Sequence, residues 1–187
     1  MKIFKIDPNI LNRTLTPTNN AFLSLANSII SQQISTKAAQ SINTRFMELF
    51  GRKTVIPKLV LELTDEDLRG AGISGSKVVY MRDLANKFLD KTIDPKKFEQ
   101  MTDEEIKTHL IQVKGIGPWT ADMFLIFALN RPNVLPVGDL AIRKGFQKAF
   151  NLQSVPTEKK MRELAKPHMG SHTNLSLYLW QILDEKL

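Results

Sequence analysis

Apolar residues recur every three to four positions along most of the 187-residue chain, which is the spacing of one face of an α-helix. Ala21, Leu25, Ile29 and Ile30 mark a first helix, and Val78, Met81, Leu84, Ala85 and Phe88 mark a later one. No stretch alternates as a half-buried strand does. Helix start signals agree: Thr102 and Glu105 have capping-box spacing, and Thr157 follows Pro156 ahead of KKMRELA. The pattern predicts an all-α fold, with helices over 18–32, 35–50, 57–69 (broken), 76–90, 95–111 (broken), 118–130, 139–150, 157–166 and 173–185. No repeat, low-complexity tract or long polar linker divides the chain, so one body spanning 1–187 is expected. Its two lobes, roughly 20–100 and 101–187, would share a core, with the seam near 92–102 and the N-terminal segment packing back.

One join between two of these helices, within a hairpin over 103–130, is chemically crowded: residues 113–121 read VKGIGPWTA. A helix ending near Gln112 and another beginning near Pro118 leave only a short connection. Pro118 costs nothing at a helix start, because first-turn N–H groups have no intrahelical partner. Gly115 and Gly117 can take positive φ and let another backbone come close, and the N–H groups that open the second helix point outward together, a setting for an anion such as phosphate. Lys114 beside the glycines and Thr120, whose hydroxyl can donate, add to that chemistry. The same stretch also reads as a plain corner in which the glycines turn the chain and Trp119 fills the core.

Composition favours the first reading. The 26 Lys and Arg against 19 Asp and Glu give a net charge of +7, which suits a polyanionic partner, most simply nucleic acid. The chain has no cysteine, which removes disulfides, iron-sulfur clusters, thiolate zinc sites and cysteine nucleophiles. MKIFKIDPNILNR is broken by charge and proline before it reaches signal-peptide length, and no segment approaches the ~20 apolar residues of a membrane helix. A soluble, intracellular protein of the cytoplasm or nucleoid, with no targeting segment and no membrane partner, is expected. His168 and His172 stand four apart in HMGSH, but Gly170 between them and the lack of a third ligand nearby argue against zinc. The carboxylates of TDEDL and TDEEI read as helix caps, and Lys96 and Lys97 as solvated.

The segment THLIQVKGIGPWTADMFLIFAL, followed by NRPNVLPVGDLAIRKGF, resembles the hairpin and aspartate loop of the helix-hairpin-helix DNA glycosylases. Asp139 lies 22 positions beyond Gly117, as that family's pattern requires, and the likeness runs from about residue 20 to 150. It implies two helical lobes with the active site in the cleft between them. It also implies that the hairpin grips one strand of double-stranded DNA containing damaged bases, through backbone N–H groups. A monovalent cation, Na or K, would be held by the carbonyls of Ile111, Val113 and Ile116. No organic cofactor, iron-sulfur cluster or zinc is implied, and a monomer is expected. One departure is Gly138, where many relatives place a second acidic residue before the catalytic one.

By itself Asp139 reads as an ordinary N-cap of the helix LAIRKGFQKAF, where the helix dipole favours negative charge. The resemblance makes it catalytic: cleaving the bond from base to deoxyribose builds positive charge on the sugar, which a carboxylate near C1′ stabilises while it orients water. Arg143 and Lys144 just after it would meet phosphate or lie on a solvated face. Bifunctional relatives carry a lysine nucleophile in the second hairpin helix; Trp119 stands there, which implies a monofunctional enzyme that leaves the abasic site uncut.

SIISQQISTKAA (28–39) and AGISGSKVVYMRDLA (71–85) resemble stretches of the alkylation-repair branch, the family of bacterial 3-methyladenine DNA glycosylase II. Gln33 then matches the position that wedges into the gap left by an extruded base; without the resemblance it is a polar helix residue in solvent. Trp180 in SLYLWQIL matches a wall of the base pocket, with Trp119 as a second; without it, Trp180 is a core residue of a terminal helix. The usual approach to that tryptophan is replaced by AKPHMGSHTN. An aromatic pocket suits N-alkylated purines, which are cationic and leave readily once flipped out. Two other readings stay open: the same scaffold acting on another lesion, and a hairpin DNA-binding module in which Asp139 is only a cap.

Overall fold

The computed structural model describes residues 18–184. Among them the regular elements are all helical: α1 (Ala21–Ser31), α2 (Thr36–Glu48), α3 (Pro57–Glu62), α4 (Asp65–Gly70), α5 (Gly75–Leu89), α6 (Asp103–Leu110), α7 (Pro118–Phe127), α8 (Leu140–Ala149), α9 (Glu158–Ala165) and α10 (His172–Asp184), with short 3-10 segments at Pro95–Gln100 and Lys166–His168. Both helices expected to be broken are broken, the first at the Thr64 cap and the second at the Thr102 cap. Each cap is a capping box, Thr64 with Asp67 and Thr102 with Glu105. These boxes satisfy first-turn N–H groups and hold the Asp67 and Glu105 carboxyls below their ordinary pKa, chiefly through the backbone N–H of Thr64 and Thr102. No described helix is long and apolar enough to cross a membrane.

The chain forms two compact units, 18–121 and, among the described residues, 122–184, and it passes from one to the other within α7. The seam expected near 92–102 lies elsewhere because Ile93 and Phe98 are buried there, 1% and 4% exposed, and tie the 3-10 segment into the first unit. The expected packing of the N-terminal segment falls on residues 1–17, outside the described residues.

In unit 18–121 the hub is α5, which packs against α1, α3 and α4. Its apolar stripe Val78, Met81, Leu84 and Ala85 is buried, against a core that includes Leu25, Ile29, Ile30, Val60 and Leu68. Its polar positions do a second job. The last carbonyls of any helix lack intrahelical partners, and α5 supplies donors for two neighbours. Arg82 donates to the carbonyls of Val60 and Leu63 at the end of α3 and pairs with Asp65 of α4. Lys77 donates to the carbonyls of Ile30 and Gln32 at the end of α1. In unit 122–184 the core is smaller: Ile142 and Phe146 of α8, Met161 and Ala165 of α9, and Leu175 and Leu179 of α10. There α8 and α10 come close because Gly145 has no side chain. A Cβ at that position would sit 2.7 Å from the Leu179 carbonyl oxygen.

Candidate functional site

The sequence-predicted residues fall into two groups, one in each unit. In unit 18–121 the hairpin follows α6. Gly115 takes φ +83 and rests on the ring of Tyr80, where a Cβ would come within 2.6 Å of Cε2. Glycine is therefore required there both by conformation and by space. Gly117 does not share the positive φ, which corrects the expectation for that residue, but a Cβ on it would meet nothing within 4 Å, so its face is open to an approaching chain. The N–H groups of Gly115 and Gly117 meet no acceptor among the described residues.

Two further hairpin residues have defined surroundings. The N–H of Lys114 donates to Asp83 Oδ2 at 2.8 Å, so only its exposed side chain remains to meet phosphate. Thr120 is buried, 6% exposed, at the start of α7 beside buried Ala121. Trp119 does not fill the core. It is 49% exposed, on the same side of α7 as Met123 and Phe127, which follow at i+4 and i+8. The carbonyls of Ile111, Val113 and Ile116 were expected to hold a monovalent cation. That of Val113 accepts the Ile116 N–H at 3.0 Å and keeps a second lone pair, and no described residue donates to the other two. Such a set of neutral oxygens suits Na or K.

Gln33 lies at the tip of the turn that joins α1 to α2, exposed, with φ +57. It is not a helix residue. The left-handed region is uncommon for a residue with a side chain and is held only where neighbours impose it. Here they are Lys77, on the carbonyl before it, and Gln32, whose Nε2 donates to the Gly115 carbonyl at 2.8 Å.

In unit 122–184 the loop NRPNVLPVGD leads to Asp139. Its start is pinned to the first turns of α10 by two buried hydroxyls: Thr173 donates to the Arg131 carbonyl and accepts the Val134 N–H, and Ser176 donates to the Val134 carbonyl. Its end is a turn closed by the Asp139 N–H on the Pro136 carbonyl at 2.9 Å. Asp139 is the N-cap of α8, with Oδ1 accepting the Ile142 N–H at 2.8 Å. The same oxygen accepts Nε1–H of Trp180 at 3.2 Å, and the Trp180 ring stacks on Phe127, centroids 5.9 Å apart and planes 24° from parallel. The cap and the proposed catalytic carboxylate are thus one residue, and its partner is the tryptophan singled out near the C-terminus.

Phe127 was missed, because MFLIFAL reads as an unbroken apolar run in which nothing marks the exposed position. Thr173 lies in the stretch where the family pattern weakens, and Ser176 opens the stretch after it. Lys77, Tyr80 and Asp83 lie within AGISGSKVVYMRDLA, and their i, i+3, i+6 spacing was the available signal. Lys144 is exposed. Arg143 is half-buried, with its Nε buried and unpartnered among the described residues, so it is not a solvated residue. His172 faces the Ala165 carbonyl rather than His168, and no cluster of metal-binding side chains occurs among the described residues.

Residues 26–168 match the family described as HhH-GPD superfamily base excision DNA repair protein. The DNA-3-methyladenine glycosylase 1 of Schizosaccharomyces pombe is 33% identical over 84% of this chain and 70% of its own length. The DNA-3-methyladenine glycosylase of Saccharomyces cerevisiae is 36% identical over 89% of this chain and 58% of its own length. A Bacillus subtilis relative, 31% identical, is spanned over 56% of its length. Among solved structures, that of the Schizosaccharomyces pombe 3-methyladenine DNA glycosylase in complex with abasic DNA superposes with a TM-score of 0.80 at 28% identity, covering 95% of this chain and 89% of that one.

Proposed function

Since the chain belongs to the HhH-GPD superfamily of base excision DNA repair proteins, we propose that it is a monofunctional DNA glycosylase that hydrolyses the bond between deoxyribose and an alkylated base, 3-methyladenine or a related adduct. The observation that carries this reading is the Asp139 carboxylate held by Trp180, whose ring stacks on Phe127. An aromatic face attracts a cationic alkylpurine, by roughly 0.5–2 kcal/mol. The carboxylate beside it stabilises positive charge developing at C1′ and orients water for attack there. Two hydrogen bonds on Oδ1, from Ile142 N–H and Trp180 Nε1–H, fix its direction in advance. A cationic purine is a good leaving group without a general acid, which fits a site built around one carboxylate.

On this reading the hairpin holds the DNA backbone through the N–H groups of Gly115 and Gly117 and the Lys114 side chain, with Lys144 and Arg143 adding positive charge. The carbonyls of Ile111, Val113 and Ile116 would hold Na or K, which would supply positive charge toward a phosphate. Gln33 fills the gap left by the flipped base. Trp119, at the position of the lyase lysine, leaves water as the nucleophile. The enzyme acts as a monomer on double-stranded DNA inside the cell.

The test is release of free base from methylated duplex DNA by wild type and by Asp139→Asn. Wild type is expected to release 3-methyladenine and leave an abasic site uncut, and the variant to bind duplex without release. Binding with no release by wild type leaves a DNA-binding module; equal release by both proteins removes Asp139 from the mechanism. An adduct trapped by borohydride overturns the monofunctional assignment.

A further inference from the structure

The turn carrying Gln33 and the hairpin carrying Gly115 are far apart in sequence, yet both are referenced to one face of α5. Lys77 places its ammonium on the carbonyls of Ile30 and Gln32, 2.7 Å from each, which satisfies the end of α1 and fixes the peptide directly before Gln33. One turn on, Tyr80 forms the seat of Gly115; one turn further, Asp83 takes the Lys114 N–H at 2.8 Å. The circuit closes through Gln32. Its main chain lies under Lys77, and its side chain donates to the Gly115 carbonyl at 2.8 Å. Adjacent glutamines are thereby divided: Gln32 turns in toward the hairpin, while Gln33 is left exposed in the left-handed conformation. Burial lowers the pKa of the Lys77 ammonium, which is partly withdrawn from water.

We propose that Lys77 and Gln32 are positioning residues that set Gln33 at a fixed offset from the hairpin, so that a strand gripped at Gly115 and Gly117 brings its vacated base position onto the Gln33 side chain. This rests on the reading of the hairpin and Gln33 as DNA contacts given above. Their work is geometric, and small displacements suffice to spoil it: misplacement of about 1 Å costs on the order of 10²-fold where reacting groups must align.

The test uses a duplex with a tetrahydrofuran abasic-site analogue opposite 2-aminopurine, whose fluorescence rises when a side chain enters the gap and unstacks it. Affinity is read in parallel by anisotropy. Gln33→Ala should abolish the rise. Gln32→Ala, which removes one hydrogen bond, should reduce it by roughly fivefold, and Lys77→Met, which removes two, by more, with affinity held within about twofold. Lys77→Arg, which can still reach both carbonyls, should keep most of the signal. Should Lys77→Met unfold, Gln32→Ala carries the test, as it removes one side-chain bond on the surface. A wild-type response in Gln32→Ala overturns the proposal. A wild-type response in Gln33→Ala instead sinks the wedge reading beneath it, and the proposal with it. Failure of wild type to release base in the methylated-DNA assay counts only against the enzymatic reading, because the fluorescence response needs no bond cleavage.

Discussion

Helices α5 and α10 each hold candidate site residues in place, and they do it with different chemistry. From α5, long side chains reach outward: Lys77 and Arg82 to the carbonyls of other helices, Asp83 to a hairpin N–H. On α10 the reach is short: two buried hydroxyls at Thr173 and Ser176 and the indole N–H of Trp180, one helix face apart by three and four residues. The difference follows from what each must hold. On the function proposed above, Gln33 and the hairpin have to end in solvent, where DNA can meet them, so their supports are charged groups at the rim that gain modestly from each bond. As the proposed catalytic carboxylate, Asp139 has to be aimed once and kept there, so its supports lie in or beside a small apolar core, where an unmet polar group costs about 1–3 kcal/mol and the arrangement is correspondingly stiff.

The sharpest way to break this comparison is Asp139→Asn. Asparagine caps a helix about as well as aspartate, so the melting temperature should hold within a few degrees while base release falls by about 10²–10³, the cost of removing one preorganised electrostatic group. A large drop in stability with it would mean that Asp139 serves the fold first. Next come the two glycine contacts. Gly145→Ala pushes a methyl into the Leu179 backbone and should destabilise by about 1–3 kcal/mol in thermal denaturation, since an overpacked helix contact cannot yield without moving α10. Gly115→Ala meets the Tyr80 ring and a strained φ together. In a Tyr80→Ala background the clash is relieved and only the conformational part remains, so the second substitution should recover part of the lost duplex affinity.

A smaller effect is expected of Trp180→Phe, which keeps a ring against Phe127 and removes the bond to Asp139. One hydrogen bond to a carboxylate is worth about 1.5–3 kcal/mol; steady-state kinetics should show the loss in kcat more than in KM, because the bond aims the carboxylate rather than binding substrate. Smallest is a pH effect confined to unit 122–184. Burial, and then the neighbouring His172, lower the pKa of His168. A histidine whose folded pKa is depressed stabilises above its ordinary value and loses that contribution as pH falls through the folded one. Wild type should therefore melt lower on going from about pH 7 to pH 5, and His168→Gln should flatten that slope. The capping boxes of unit 18–121 behave alike but at lower pH: Asp67 and Glu105 have depressed carboxyl values, so their contribution persists until the carboxylate range is reached from above.

Much of this was legible along the chain. The apolar stripes of α1 and α5 announced both helices, and Thr102 and Thr157 announced two starts. The glycine-proline hairpin and Asp139 stood out because their residue types are unusual at those places. What stayed hidden has a common character. Phe127 reads as core until its exposure is known, and Thr173 and Ser176 read as surface until they are found buried. Gly145 reads as an imperfect helix residue until Leu179 is found against it.

By itself the sequence determined the helices, their caps, the hairpin and the capping carboxylate, because periodicity, φ preference and first-turn hydrogen bonding act within a few residues. Only the tertiary structure decided that Trp180 bonds Asp139 from 41 positions away, that Gln32 and Gln33 point to different tasks, and that Tyr80 makes Gly115 indispensable. Those outcomes depend on which surfaces meet when helices pack. A side chain's neighbours across such a contact are set by the register of two elements, and no local preference encodes that register.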